Sequence, residues 1–176
     1  MDDKPLKIKG KYIVIGIILV GLIAGISIFL NLQNKTEDDK GYNFSVSKDE
    51  KILKTYSLDD IKKMEPVKAK AKINSTNKKS YEGTFTGVPI ESLLNDTDES
   101  LLEDSENFIF IAGDGYSSAI SKRDIEKKEN VILAYAMDGK DLEHFSDGGQ
   151  GPMRIVILSD QFGNRSTMWA VQVECK

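Results

Sequence analysis

An uninterrupted stretch of 18 uncharged residues, from 13 to 30, limits the possible folds of this 176-residue chain more than any other feature. Thirteen of these residues are large and apolar, and the others are three glycines, Ala24 and Ser27. A helix of this length measures about 27 Å, close to the thickness of the hydrocarbon core of a bilayer. The stretch is longer than the apolar region of a removable signal peptide and ends in a poor cleavage site, so we expect an uncleaved transmembrane anchor over residues 12–32.

The charges on either side of this stretch indicate its orientation. Four lysines precede it within the first 11 residues, whereas two lysines and three acids follow it within residues 35–40. This excess of lysine places residues 1–11 in the cytoplasm as a short tail. We therefore expect a single-pass protein of the cell membrane, with a polar linker at 33–47 and an extracytoplasmic domain at 48–176.

Composition narrows the chemistry that is open to the part after the anchor. Residues 41–176 carry 18 Lys/Arg and 23 Asp/Glu, and this acidic balance argues against a nucleic-acid partner. One cysteine, Cys175, excludes an internal disulfide, and one histidine, His144, excludes a metal site built from several histidines of one chain. Because no catalytic triad, paired-carboxylate or phosphate-loop pattern is present, we predict no catalytic residue and no metal ligand.

Residue periodicity predicts strands with short helices between them. Lysines alternate with apolar residues from Val67 to Ile73, which is typical of a half-buried strand. Ser57 is expected to cap a short helix, and Gly87-Val88-Pro89 to turn the chain into a second helix at 90–94. Further strands are predicted at 108–112 (central and buried on both faces), 131–137, 153–158 and 166–174. This order predicts an α+β fold, a mixed β-sheet domain with short helices.

Five motifs follow one another within residues 55–174. They are FTGVPIESLL at 85–94, AGDGY at 112–116, ILAYAMDGKDL at 132–142, GPMRIV at 151–156 and MWAV at 168–171. In this order they resemble the molybdopterin-binding domain of the sulfite oxidase family. The resemblance implies that family's fold, and a two-electron reaction at molybdenum held by a protein thiolate and a pterin dithiolene.

The resemblance implies a cofactor site at Arg154, Gly151, Asp114 and Tyr116. Considered by themselves, these residues have ordinary alternatives: Arg154 pairing with an acid at a strand end, Asp114 bonding backbone amides in a turn, and Tyr116 packing over the core. Trp169, which also matches the family, is expected in the core, and His144 on a surface loop.

The sequence departs from the family where the cofactor would be held. The family's metal-binding cysteine falls near residues 72–77, which here read Lys-Ile-Asn-Ser-Thr-Asn, although molybdenum needs a soft, deprotonated sulfur ligand. Gly149 stands in place of a histidine, and Met168 in place of a lysine, that help to hold the pterin phosphate. The losses are therefore concentrated at the cofactor.

We therefore expect a non-catalytic extracytoplasmic domain that is tethered to the membrane and binds a ligand or a membrane or extracytoplasmic protein partner. Two alternatives stay open. One is a molybdopterin-dependent oxidoreductase with atypical metal ligation, and the other is a structural subunit of a membrane complex. Molybdopterin is implied as a cofactor by the resemblance alone.

Overall fold

The computed structural model describes residues 43–74, 80–160 and 163–176, which belong to one compact unit, Gly41–Lys176. The predicted cytoplasmic tail, the predicted membrane anchor at 12–32 and most of the predicted linker lie outside these residues. Among the helices that the structure describes, none combines the length and the apolar character needed to cross a membrane.

Ten strands, three short α-helices and two 3-10 turns make up the described part of the chain. The strands are β1 (Asn43–Lys48), β2 (Lys51–Ser57), β3 (Val67–Asn74), β4 (Ser80–Pro89), β5 (Asn107–Ala112), β6 (Ser117–Ser121), β7 (Val131–Met137), β8 (Lys140–Asp141), β9 (Arg154–Ile157) and β10 (Ala170–Cys175). The helices are α1 (Leu58–Lys63), α2 (Ile90–Thr97) and α3 (Lys122–Ile125), and the 3-10 turns are Phe145–Asp147 and Gly163–Arg165.

The strands form two sheets. The first has the order β2-β1-β10-β5-β6, in which β1 and β10 are parallel and the other pairs are antiparallel. The second has the order β3-β4-β7, with β8 and β9 also pairing with β7, and all of its pairs are antiparallel. The predicted mixed sheet with short helices is confirmed, whereas the division into two sheets was not predicted.

The larger hydrophobic core draws on both sheets. Phe44, Phe110 and Val173 from the first sheet share a cluster of buried side chains with Leu133 and Ile155 from the second. A smaller cluster lies on the opposite face of the second sheet and includes Ile132 and Val156. Because side chains alternate between the faces of a strand, burial on both faces explains why β7 and β9 are continuously apolar.

Local signals at two places act as predicted. Ser57 caps α1 through a capping box, because its hydroxyl accepts the Asp60 N–H at 3.2 Å and the Asp60 carboxylate accepts the Ser57 N–H at 3.2 Å. Asp138 and Gly139 make the β7–β8 turn with φ angles of 51° and 77°. Two residues in the left-handed region match the type I′ turn of a two-residue hairpin.

Two strand predictions are corrected by the burial and pairing of the strands. β5 was predicted to be buried on both faces, but Phe108 and Phe110 are buried while Ile109 and Ile111 are only partly covered. The chain was predicted to turn at Gly87, but β4 continues to Pro89 with a register shift after Thr86. Gly87 permits this because a Cβ there would lie 2.3 Å from the Leu133 carbonyl oxygen of the paired strand.

Two boundaries also differ from the prediction. Residues 43–47, predicted as linker, belong to β1, where Phe44 and Val46 are fully buried. The last strand begins at Ala170 rather than at Ser166, because the preceding residues leave the sheet. There Thr167 bonds to β9 through its carbonyl oxygen, which accepts the Ile155 N–H at 2.8 Å.

Candidate functional site

A cavity of about 310 Å³ opens where three loops meet at the start of β10. The loops are the β5–β6 turn, the 3-10 turn Phe145–Asp147 and the 3-10 turn Gly163–Arg165. Its lining residues are Asp114, Tyr116, Phe145, Gly163, Asn164, Ser166 and Met168. Two of the four residues implied by the resemblance, Asp114 and Tyr116, therefore line one concave surface. We call this space the loop cavity.

The β5–β6 turn is fixed to the facing loop by hydrogen bonds. Asp114 accepts the Tyr116 N–H through Oδ1 at 3.0 Å, so its carboxylate has the turn role that was one of the two possibilities. Tyr116 does not pack over the core as the alternative suggested: its side chain is exposed, and its hydroxyl donates to the Asn164 carbonyl oxygen at 2.5 Å. This bond joins two walls of the loop cavity.

Aromatic rings form the side of the loop cavity near β10. Phe145 stacks on Trp169 with ring centroids 5.5 Å apart and planes at 16°, and His144 meets the same indole edge-on at 5.5 Å. Trp169 was predicted to lie in the core, but it is only partly buried. Its indole packs against Gly113, where a Cβ would lie 2.4 Å from the ring, so the indole is held at the rim between the loops rather than in the core.

The charge of the lining is acidic. Of the lining residues that the structure describes, Asp114 is the only acidic one, and none is a lysine, an arginine or a histidine. Met168 stands where the resemblance gives a lysine. A dianionic phosphate in this space would meet a carboxylate and a thioether rather than a cation.

The segment that would carry the metal-binding cysteine adjoins the loop cavity. A Cβ on Gly163 would lie 2.7 Å from Ile73 Cγ2 and 3.3 Å from the Asn74 carbonyl oxygen, so these residues pack behind the cavity wall. The neighbouring Lys72 pairs with Glu82 at 3.0 Å. Residues 75–77, which complete the segment, lie outside the described residues and are Ser, Thr and Asn in sequence. No thiolate is available from this segment.

Cys175 does not replace the missing ligand. Its side chain is fully buried at the end of β10, where it pairs with Phe108 of β5 and Lys48 of β1. Burial, with a smaller effect of the Glu174 carboxylate, raises the pKa of the thiol to about 11, which keeps it protonated at neutral pH. Within residues 43–74, 80–160 and 163–176, no group of three or more His, Cys, Asp or Glu side chains is arranged to hold a metal ion.

Gly149 shows that the backbone itself has changed at a second cofactor position. A Cβ at this residue would lie 2.1 Å from the Glu143 carbonyl oxygen. The histidine that the family places here therefore has no room unless the loop moves. The residues of this chain thus do not fit a thiolate-bound molybdenum centre whose pterin phosphate is held by His and Lys.

The other two residues implied by the resemblance lie apart from the lining of the loop cavity. Gly151 is buried against Leu142, where a Cβ would lie 2.7 Å from the Leu142 side chain. Arg154 is 2% exposed, and its guanidinium lies 5.3 Å from the Tyr81 ring centroid and 5.9 Å from that of Phe85. The structure therefore brings Asp114 and Tyr116 to one cavity and places Gly151 and Arg154 outside its lining.

Arg154 is a buried cation with little compensation. One Nη donates to Gln150 Oε1, Nε has no hydrogen-bond partner, and no carboxylate among the described residues pairs with the guanidinium. Burial lowers its pKa to about 10, because desolvation disfavours the charged form. The alternative of an acid partner for Arg154 is therefore wrong for the described residues.

Two residues that contact Arg154, Tyr81 and Gln150, line a second cavity of about 260 Å³ together with Lys140 and Glu143.

An ion-pair network fixes the 3-10 turn that carries Gly163 and Asn164. Arg165 donates to Asp160 at 2.5 Å and to Asp124 of α3 at 2.6 Å, and Lys127 contacts the other oxygen of Asp124 at 2.7 Å. The Asp124 side chain is only 14% exposed, so these contacts are poorly screened by solvent. The pairs with Lys127 and then Arg165 lower the pKa of Asp124 to about 2.

Sequence reasoning missed most of the lining. Phe145, Gly163, Asn164 and Ser166 come from loops without strong periodicity, and loops meet through the fold rather than through spacing in the sequence. One lining residue could have been found from the sequence: Met168 stands where the resemblance gives a lysine, and it lines the loop cavity.

Comparisons with known proteins agree with this fold. The family model described as oxidoreductase molybdopterin binding domain matches residues 31–176. Among solved structures, the sulfane dehydrogenase SoxCD from Paracoccus pantotrophus matches with a TM-score of 0.64 and 14% sequence identity, over 78% of this chain. The match spans 38% of the SoxCD chain, so this chain corresponds to a part of that protein. No curated protein matches the sequence.

We predict that Asp124→Asn lowers the free energy of unfolding by about 1–2 kcal/mol at pH 7, because a carboxylate whose folded pKa is depressed stabilises the fold at higher pH. The stabilisation is complete above the unfolded pKa of 3.8 and is lost as the pH falls toward 2. Urea unfolding at pH 7 and pH 3 should therefore show a smaller difference between wild type and variant at pH 3. Glu126→Gln, at an exposed acid nearby, is the control, and a difference that does not shrink at pH 3 would contradict the assignment.

We predict that Cys175 in the native chain reacts slowly with a thiol reagent at pH 8 and rapidly after unfolding in urea. The reason is that the folded thiol is both buried and protonated, whereas the unfolded thiol is accessible. The measurement is the time course of Ellman's reagent absorbance with and without urea. Complete labelling of the native chain within the mixing time would show an accessible, reactive thiol and would overturn its exclusion as a ligand.

Proposed function

The chain belongs to the oxidoreductase molybdopterin-binding domain family, and we propose that it is a membrane-anchored, extracytoplasmic member of that family that binds a ligand without molybdenum chemistry. The observation that carries the proposal is the donor set around the loop cavity. The segment at 72–77 supplies no sulfur, the single thiol is buried elsewhere, and the lining is acidic. The fold is kept, but its metal-binding groups are replaced.

The loop cavity has the characteristics of a small-molecule site. Its volume of about 310 Å³ falls at the lower end of the range for ligand pockets, and its lining combines two aromatic rings and a thioether with the polar side chains of Asp114, Asn164 and Ser166. Its walls are tied together by the Tyr116–Asn164 hydrogen bond and by the ion pairs of Arg165. A pocket that is largely preformed loses little entropy when it binds a ligand.

Redox activity is the competing function, and SoxCD, as a sulfane dehydrogenase, belongs to that class. Molybdenum, if bound, would supply the electron transfer of such a reaction. The segment at 72–77 contains no cysteine, and the described residues that line the loop cavity include no lysine or histidine for the pterin phosphate. For these reasons binding without catalysis is the better supported function.

Anchoring in the membrane is supported by the sequence alone. The uncharged stretch at 13–30 has the length of a membrane span, and the lysine-rich side is the first 11 residues. β1 begins at Asn43, so about ten residues separate the end of the predicted anchor from the domain.

A role in a membrane complex is a second candidate, and one surface favours it. β2 is an edge strand of the first sheet, and its adjacent residues Ile52 and Leu53 are 57% and 42% exposed. Exposed apolar side chains on an unpaired strand edge are a means of pairing with another chain. Co-purification of a partner that Ile52→Lys abolishes would support this role.

We predict that the full chain, purified from a molybdopterin-competent host, contains neither stoichiometric molybdenum nor pterin. Metal analysis by mass spectrometry and pterin fluorescence after acid release measure the two components independently. A cysteine-bearing member of the family, expressed in the same host, is the positive control. Stoichiometric molybdenum, or pterin together with electron transfer to an artificial acceptor, would establish the oxidoreductase alternative.

We predict that residues before and after the anchor lie on opposite sides of the membrane. In Asp3→Cys and Lys40→Cys variants, an impermeant thiol reagent added to intact cells should label only Lys40→Cys, because the N-terminal tail is cytoplasmic. Native Cys175 gives little background because it is buried. Asp3→Cys should become labelled after permeabilisation, and labelling of it in intact cells would reverse the proposed orientation.

A further inference from the structure

The Asp114 carboxylate in the loop cavity has an oxygen that is able to accept a further hydrogen bond. Asp114 accepts the Tyr116 N–H through Oδ1, while its second oxygen accepts no hydrogen bond from the described residues. The side chain is exposed, so this oxygen is available to a ligand. None of the other described lining residues is a lysine, an arginine or a histidine.

The arginine next to the lining residue Asn164 is already paired with carboxylates. Arg165 follows Asn164, but its guanidinium is held by Asp160 and Asp124, and these contacts use Nε and both Nη atoms. Two carboxylates therefore balance one guanidinium and one lysine in this network. Among the described residues that line the loop cavity, Asp114 is therefore the only one with a formal charge, and its carboxylate favours a positively charged ligand.

Two aromatic rings offer faces to such a ligand. Tyr116 is 49% exposed and Phe145 is 37% exposed, and both line the loop cavity. The Tyr116 hydroxyl is engaged with Asn164, and Phe145 is backed by Trp169, so that both rings are held in position. Aromatic faces attract cations through the negative region of their π system, and such surfaces recognise alkylated ammonium groups.

We propose that the loop cavity binds a small organic cation of the alkylated ammonium class, with Asp114 as its counter-ion and Tyr116 and Phe145 as its aromatic walls. The inference rests on the proposed binding function and specifies the ligand. The thioether of Met168 completes the wall and is compatible with the methyl groups of such a cation. A phosphate or sulfate is disfavoured because it would lie beside Asp114.

The chain provides its own probe for this ligand. Trp169 is the only tryptophan of the 176 residues, and it stacks on Phe145 at 5.5 Å. Binding against Phe145 should therefore change the intrinsic fluorescence of Trp169. The full chain in a non-ionic detergent is titrated with choline, and separately with neohexanol, the uncharged carbon isostere of choline. Sulfate and glucose are titrated as anionic and uncharged polar probes.

Choline should change the fluorescence with saturation. Neohexanol should bind about tenfold more weakly, which corresponds to about 1.4 kcal/mol, because it makes neither the ion pair with Asp114 nor a cation–π contact with the rings of Tyr116 and Phe145. Asp114→Asn should weaken choline binding by a similar factor and leave neohexanol unaffected. Asparagine Oδ1 is still able to accept the Tyr116 N–H, so the turn is preserved. Met168→Lys should also weaken choline binding, whereas Glu126→Gln, at an exposed acid outside the lining of the loop cavity, is the matched control.

The outcomes separate this inference from the proposed function. Equal affinity for choline and neohexanol, or an Asp114→Asn variant that binds choline like wild type, would overturn the cation assignment. Saturable binding of glucose or sulfate without binding of choline would also overturn it, but would leave a ligand-binding domain in place. No response to any of the four probes would overturn the cation assignment as well, and stoichiometric molybdenum in the same sample would refute the proposed function itself.

Discussion

The position of Trp169 determines the shape of the loop cavity, because its backbone and ring touch three separate segments. Its N–H donates to the Gln150 carbonyl oxygen at 3.1 Å, and its own carbonyl oxygen accepts the Gly113 N–H at 2.9 Å. The backbone of Trp169 has a φ of 48°, a left-handed conformation that costs a non-glycine residue about 1–3 kcal/mol. The two hydrogen bonds and the contact with Gly113 stabilise this conformation, and the stack with Phe145 then places one wall of the cavity.

The chain keeps the fold of its family, whereas positions that the resemblance assigns to the cofactor carry other residues. Met168 and Gly149 stand where the resemblance gives a lysine and a histidine, and Met168 lines the loop cavity while Gly149 lines the second cavity. The segment at 72–77, where the resemblance gives a cysteine, contains none. Arg154, which matches the family pattern, is buried near the rings of Tyr81 and Phe85. Its burial without a carboxylate partner among the described residues is energetically unfavourable.

Strands with buried, continuously apolar sequences could be predicted, because burial on both faces leaves a strong signal in residues 131–137 and 154–157. The β1–β2 hairpin could not, since β2 is an exposed edge strand and carries mostly polar or charged side chains. The candidate site was predictable only in part. Asp114 and Tyr116 came from a motif, whereas Phe145 and Asn164 reach the same cavity through loops whose meeting depends on the tertiary fold. The partial exposure of Trp169 likewise depends on its neighbours, not on its own hydrophobicity.

We propose that this domain keeps the fold of a molybdopterin-binding domain while its loop cavity holds no metal centre. A crystal of the full chain, purified from a molybdopterin-competent host and measured across the molybdenum absorption edge, tests it most directly. We expect no anomalous peak in the loop cavity or beside Arg154, with Trp169 stacked on Phe145. An anomalous molybdenum peak at either place, connected to pterin density, would contradict it.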